Sequence, residues 1–331
     1  METKVLPVNE QSLGLAKEII ESGGAVAFPT ETVYGLGADA FNTAAVENIF
    51  KIKGRPNDNP LIVHVHKDYD ISSLVSDIPK YAVKLAEAYL PGPLTMVYKS
   101  FGKVSPAVSC GLDTLAIRIP AHSDAQKFLK YLDKPIAAPS ANISKHVSPV
   151  TAEHVYFDLN GNVPLILDGG KSEGGIESTV LDCTGEIPVI LRSGLITREM
   201  IAEIAGDCGE YVLKEGEKVK SPGMKYKHYS PRCKTKFFSS DELDKAIAEY
   251  KKNNIAGVCT YILCDDETAK IAAVDNVLNL GKNGEEIASN LYLKLRDGEK
   301  KAQLIIAVAP KEQDGVMKGV MNRLTKACKD V

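Results

Sequence analysis

The 331-residue chain predicts an α/β protein: a mixed sheet with flanking helices, followed by a smaller α/β unit. Three observations point there. Strand and helix signals alternate through the first two-thirds of the sequence. Several successive strands in that region have no helix between them, which implies antiparallel pairs within the sheet. Past the Gly/Pro/Lys-rich stretch GEKVKSPGMKYKHYSPR the alternation begins again.

In chain order, a helix over Gln11–Glu21 is stopped by the pair Gly23-Gly24, a glycine C-cap. The apolar run AVAF is a strand, and PTETVYGLGADA reads as the loop after it. A helix over Thr43–Lys53 ends in basic residues and breaks at Gly54 and Pro56, ahead of the strand LIVHV. The amphipathic pattern IPKYAVKLAEAYL is a helix halted by Pro91-Gly92-Pro93. The strands LTMVY and TLAIRIP follow with no helix between them. Next come a helix over Asp124–Leu132, the strand PIAAPS and a helix over Ala152–Leu159. LILDGG, STVLDC and PVILRSG are three successive strands, and a helix over Arg198–Ala205 closes the region.

Residues 207–232 lack periodicity and read as a linker, though Tyr226, His228 and Tyr229 sit there among Lys225, Lys227 and Arg232. Beyond Cys233, the strands KFFS, AGVCTYIL and LIIAVAP alternate with helices over Glu242–Lys251, Glu285–Leu295 and Val316–Cys328. That alternation predicts a parallel, Rossmann-like sheet. It carries no GxGxxG turn, which argues against a dinucleotide there.

Composition narrows the class. Hydrophobic content of 44% and charged content of 25% are those of a soluble globular protein. A net charge of −3 gives no global attraction to nucleic acid, so a polyanion site must be a local patch. No run of about 18 apolar residues and no signal-peptide pattern appears, which predicts a cytoplasmic protein with no membrane partner. The seven cysteines contain no CxxC, so neither a disulfide framework nor a zinc clip is indicated.

The chemistry concentrates in loops that combine hydroxyls and small residues with a single cation. Lys51, Lys53 and Arg55 stand beside an Asn/Asp-rich loop and a strand, where a guanidinium fork and ammonium groups suit a polyphosphate; neutralising the helix's own dipole is the alternative. Ser140, Asn142, Ser144 and Ser148 follow the strand PIAA. Ser178 and Thr179 follow Gly174-Gly175, where backbone can approach a ligand closely. Arg118 and Arg192 lie inside apolar strands, and a buried Arg needs an anion, either a ligand or an internal carboxylate. His64 and His66 form an HxH whose rings share a strand face, but no third ligand accompanies them. No GxSxG, HExxH or GxxxxGK[ST] is present, which disfavours an ordinary hydrolase, a zinc protease and a P-loop ATPase.

Taken together, these segments resemble the threonylcarbamoyl-AMP synthases of the YrdC-like family in their long, two-domain form. The resemblance rests on the pairing of K-x-R (Lys53-Gly54-Arg55) with S-x-N (Ser140-Ala141-Asn142). FPTETVYGLG, RPNDNPLIVHV, PGPLT, GLDTLAIRIP, APSAN, GIESTV and SPGMKYKHYSPR add to it. It implies a YrdC-like catalytic domain over 1–206, a linker over 207–232 acting as a lid, and a Rossmann-like domain over 233–331. It also implies a reaction of ATP, L-threonine and bicarbonate, with Mg2+ carried by the phosphates and no protein nucleophile. Lys53 and Arg55 would act electrostatically. ATP would be held by Lys53, Arg55, Asn59, Thr114, Ser140, Asn142, Ser148, Arg192 and Tyr226, and threonine by Thr32, His64, Arg118 and Ser178. The implied partners are the threonylcarbamoyltransferase machinery of tRNA modification and a weak tRNA contact.

Overall fold

The computed structural model describes residues 2–211 and 229–328. They divide into two compact units: residues 2–144, 149–173 and 177–211 form the first, and 145–148, 174–176 and 229–328 the second.

The first unit begins with β1 (Lys4–Pro7), α1 (Glu10–Glu21), β2 (Val26–Phe28), β3 (Gly35–Asp39), α2 (Thr43–Lys53), β4 (Ile62–His64), β5 (Val75–Ser76), α3 (Lys80–Tyr89) and β6 (Leu94–Ser100). It continues through α4 (Pro106–Ser109), β7 (Thr114–Arg118), α5 (Ser123–Leu132), β8 (Ile136–Ala138), α6 (Ala152–Leu159), β9 (Leu165–Asp168), β10 (Thr179–Asp182), β11 (Val189–Arg192), α7 (Arg198–Ala205) and β12 (Gly209–Glu210). Every helix of this unit except α3, which has Pro79 at that position, starts where a polar side chain caps it. Asn9 and Ser12 form a reciprocal capping box on α1, and Asn42 accepts from the Ala45 N–H at the start of α2.

The strands form one mixed sheet in the order β1-β9-β2-β3-β8-β4-β7-β6-β10-β11-β12, with β5 beside β6. As expected, β6/β7 and β10/β11 are antiparallel, while β4/β7 and β6/β10 are parallel. The β6–β7 connection is not helix-free as read from the sequence, because the one-turn helix α4 starts there at Pro106, capped by Ser105. Two readings of the sequence change. The stretch GLGAD is a strand, not loop. It reads as loop because it is glycine-rich, yet those glycines are what fit there: a Cβ at Gly37 would stand 2.6 Å from Ile136 and 2.9 Å from the Phe28 ring. The strands β9 and β10, although consecutive and without a helix between them, are not neighbours, because β9 inserts between β1 and β2.

Strand alternation separates two faces. Val63, Met96, Leu115, Ile117 and Leu181 join residues of α2, α3, α6 and α7 such as Ile49, Leu85, Val155 and Ile201 in the main core. The opposite face has two halves. Over β2, β8 and β9, Leu13 and Ile20 of α1 and Phe128 and Leu129 of α5 pack on Phe28, Ile136 and Leu165. Over β4, β6, β7, β10 and β11 the buried cluster is Ile62, Val97, Ala116, Val180 and Leu191 with Tyr211 against it, and contains no helical residue. That half forms the floor of the site described below.

The second unit holds β13 (Lys234–Phe238), α8 (Leu243–Ile255), β14 (Thr260–Cys264), α9 (Asp266–Ala272), β15 (Val277–Asn279), α10 (Gly284–Glu299), β16 (Leu304–Val308) and α11 (Val316–Cys328). Its sheet is parallel in the order β13-β16-β14-β15, the Rossmann-like arrangement expected, enlarged by α9 and β15. The segment Lys145–Ser148 is bound within this unit. Ser230 N–H donates to the Lys145 carbonyl at 2.9 Å, and the buried Arg296 guanidinium donates to the Val147 carbonyl and pairs with Glu299 at 3.3 Å. Tyr229 stacks on Tyr292 with ring centroids 5.3 Å apart. All seven cysteines are free. Among the described residues no helix is long and apolar enough to cross a membrane.

Candidate active site

Strand register assembles polar groups that are far apart in sequence. His64 of β4 pairs with Arg118 of β7, Arg118 with Thr95 of β6, Thr95 with Val180 of β10, and Val180 with Arg192 of β11. Registered neighbours project from the same face of a sheet, so these side chains form one lateral row. Arg118 and Arg192 are separated by three strand spacings, about 14 Å. The register shifts between Val180 and Leu181, which pair with Arg192 and Ile190, so Leu191 is an extra residue in β11, the geometry by which a bulge re-aims a side chain.

Each member of the row is fixed by its surroundings. Arg118 is 4% exposed and donates to Glu31 Oε1 at 2.8 Å, an internal ion pair spanning 87 residues of sequence. Burial raises the Glu31 carboxyl pKa, but the charge and hydrogen bonding of Arg118, joined by the backbone N–H groups of Glu31 and Ala121, outweigh it, and the group sits below the ordinary carboxylate value. His64 is buried, and burial, with help from Arg118, pushes its pKa down to about 3. Its Nδ1 lies 3.1 Å from the Ile62 carbonyl. A carbonyl only accepts, so Nδ1 carries the proton and Nε2 offers a lone pair. Ser178 shares a 2.7 Å hydrogen bond with Thr95, and Arg192 donates to the Ser178 carbonyl at 2.9 and 3.1 Å and to its hydroxyl at 3.1 Å. Thr32 is buried in the β2–β3 loop, with its hydroxyl 3.0 Å from that of Thr30.

A second polar group lies at the opposite end of the floor. Continuing the β4 registers to Pro60 brings it level with Ser140 and Thr114, about 13 Å from the first row. Gly54 ends α2 in the left-handed conformation (φ 59°) and turns the chain between Lys53 and Arg55. Lys53 is buried and donates to the carbonyls of Ser140 and Asn142, both at 2.5 Å, which ties K-x-R to S-x-N. The Ser140 hydroxyl donates to the Asn142 amide oxygen at 2.5 Å. Arg55 donates to the Asn59 carbonyl at 2.7 Å and lies over the Phe50 ring. The Asn59 side chain is fully buried, yet among the described residues neither its oxygen nor its nitrogen has a hydrogen-bond partner. Such a group costs stability unless a ligand completes it.

Residues 18–194 match the Sua5/YciO/YrdC family profile, described as "Telomere recombination", and residues 196–328 match the profile described as "Threonylcarbamoyl-AMP synthase, C-terminal domain". The chain belongs to the Sua5/YciO/YrdC family. It is similar to the threonylcarbamoyl-AMP synthase of Pyrococcus abyssi, with 40% identity covering 97% of this chain and 95% of that one. It is also similar to that of Bacillus subtilis, with 40% identity covering 98% and 95%. The crystal structure of P. abyssi Sua5 complexed with L-threonine superposes with a TM-score of 0.88, at 39% identity over 98% of this chain and 96% of that one. The fold is therefore that of the long Sua5/YciO/YrdC proteins, a YrdC-like sheet plus a Rossmann-like C-terminal domain.

Within the first unit, the structure brings Thr32, His64, Arg118, Ser178 and Arg192 to one end of the floor, and Lys53, Arg55, Asn59, Thr114, Ser140 and Asn142 to the other. Ser148 is buried and belongs to the second unit. Tyr226 and most of the linker expected to act as a lid lie outside the described residues. The two histidines part company, since β4 ends at His64 and His66 instead meets Asp133 at 3.0 Å. Sequence reasoning missed Glu31 and Thr95. The signal for Glu31 was the buried Arg118 itself, which required an anion.

Proposed function

We propose that this chain is a cytoplasmic nucleotidyltransferase, an L-threonylcarbamoyladenylate synthase that makes threonylcarbamoyl-AMP and pyrophosphate from L-threonine, bicarbonate and ATP. The product would pass to the threonylcarbamoyltransferase machinery that modifies the adenosine beside the anticodon of tRNA. In the first step the threonine ammonium group and bicarbonate give a carbamate, water and a proton. A carbamate oxygen then attacks the α-phosphorus of ATP, and the bond to the bridging oxygen of pyrophosphate breaks.

Two anions must meet in line, and like charges 4 Å apart at a protein surface repel by about 4 kcal/mol. The reading assigns this chain's residues to that problem. Arg118 takes the threonine carboxylate, with Thr32, His64 and Ser178 around it. Arg55, Lys53 and Arg192 supply positive charge to the nucleotide, with Asn59, Thr114, Ser140, Asn142, Ser148 and Tyr226 as further contacts. ATP is the magnesium complex as substrate. On this reading the phosphates carry the ion, and the protein supplies the charge around them.

The observation that carries this reading is the single lateral row holding His64, Arg118 and Arg192. Pyrophosphate release tests it: turnover should require ATP, L-threonine and bicarbonate together. Arg55→Ala should lower turnover about 100-fold while the protein stays folded. Full activity in that variant removes the nucleotide assignment, and RNA binding without turnover removes the enzyme. Deleting residues 221–232 should also reduce pyrophosphate release, and undiminished release rejects the lid.

A further inference from the structure

The Glu31–Arg118 pair has a feature that an ordinary structural ion pair lacks. Glu31 Oε1 accepts from the guanidinium at 2.8 Å, and the backbone N–H groups of Glu31 and Ala121 face the carboxylate. Oε2, however, is buried and, among the described residues, has no partner within hydrogen-bond geometry, and the same holds for Arg118 Nε. A carboxylate oxygen left bare in a buried setting is expensive, and so is a bare guanidinium N–H. The two unsatisfied atoms have opposite character, an anionic acceptor and a cationic donor, on side chains already in contact. An α-amino acid presents the mirror image: an ammonium donor and a carboxylate acceptor on the same carbon.

We propose that Glu31 and Arg118 together read the zwitterion, with Glu31 Oε2 accepting from the substrate ammonium while Arg118 takes the carboxylate. This rests on the threonine reading above and deepens it, making Glu31 a specificity-determining residue for amino acids over the corresponding hydroxy acids. The pair also has a built-in direction. Carbamoylation removes the cation that Glu31 holds and puts an anion in its place, so attraction becomes repulsion. The residue that captures the amine thus disfavours keeping the carbamate against itself.

Calorimetric titration distinguishes this from a merely structural role. L-threonine and its amine-free analogue 2,3-dihydroxybutanoate are titrated into the full-length wild type and into Glu31→Gln. Wild type should prefer L-threonine. In Glu31→Gln, L-threonine affinity should fall about 10-fold or more, as expected for one charged hydrogen bond, while affinity for the analogue changes little. Equal losses for both ligands would mean that Glu31 only holds Arg118, and would overturn the proposal. An unchanged threonine affinity overturns it too, leaving the threonine reading intact, whereas a wild type that binds no L-threonine overturns both. Should Glu31→Gln fail to fold, Glu31→Asp, which keeps the charge but withdraws it by one methylene, must show the same narrowing of preference.

Discussion

At the scale of single residues, burial turns ordinary side chains into instruments. An imidazole in the unfolded chain takes a proton near pH 6.5, whereas folded His64 resists protonation down to about pH 3. Its depressed pKa therefore contributes stability above pH 6.5, and that contribution is lost as pH falls toward 3. Melting temperatures measured between pH 7 and 5 should drop less in His64→Gln than in the wild type, and parallel slopes would reject the assignment. Glu31 acts in the same direction at lower pH, because its folded pKa also lies below the ordinary value. The residue scale is also where sequence reading was weakest. Arg118 was legible as a cation that needs an anion, but its partner lies 87 residues upstream. Glu31 sits in a loop whose visible character was hydroxyl and small, so nothing local linked the two.

At the scale of elements, glycine placement decides whether the polar loops can close. A Cβ on Gly194 would stand 2.4 Å from Thr179 N and 2.7 Å from the Ser178 carbonyl carbon, both backbone atoms that cannot swing aside. Gly194→Ala should therefore displace Ser178 from Thr95 and Arg192, raising KM for threonine more than KM for ATP; an unaltered KM for both would show that the loop absorbs the methyl. Helices were well read from sequence because their caps and periodicity are local, and the α2 boundaries agree with the expected Thr43–Lys53. The elements missed, β1, β3, β5, α4, β12, α9 and β15, together with β9's position, share a cause. They are short, glycine-rich or polar, or their place depends on a partner strand far away in sequence.

At the scale of the whole molecule, one sheet divides stability and chemistry between its faces. Ile117 points into the main core and Arg118, its neighbour, onto the floor row. Ile117→Ala should cost about 2–4 kcal/mol of stability, read by denaturant titration, while turnover per folded molecule at low temperature stays near that of the wild type. Comparable losses of both would mean that the faces are mechanically coupled. The mixed architecture was predictable because a connection such as β10–β11, with no helix in it, announces an antiparallel pair. The strand order was not, since order is fixed by long-range pairing that no window of sequence contains.

The lateral row has a consequence for the chain as it is synthesised. Its members emerge from the ribosome in the order His64, Thr95, Arg118, Val180 and Arg192, so the register stays incomplete until more than half of the polypeptide exists. A nascent or prematurely terminated product ending before β11 would carry the Glu31–Arg118 pair and Ser178 without the Arg192 guanidinium that clamps it. Competence should therefore arrive in one step, late in translation, and truncated fragments should be inert instead of partly active.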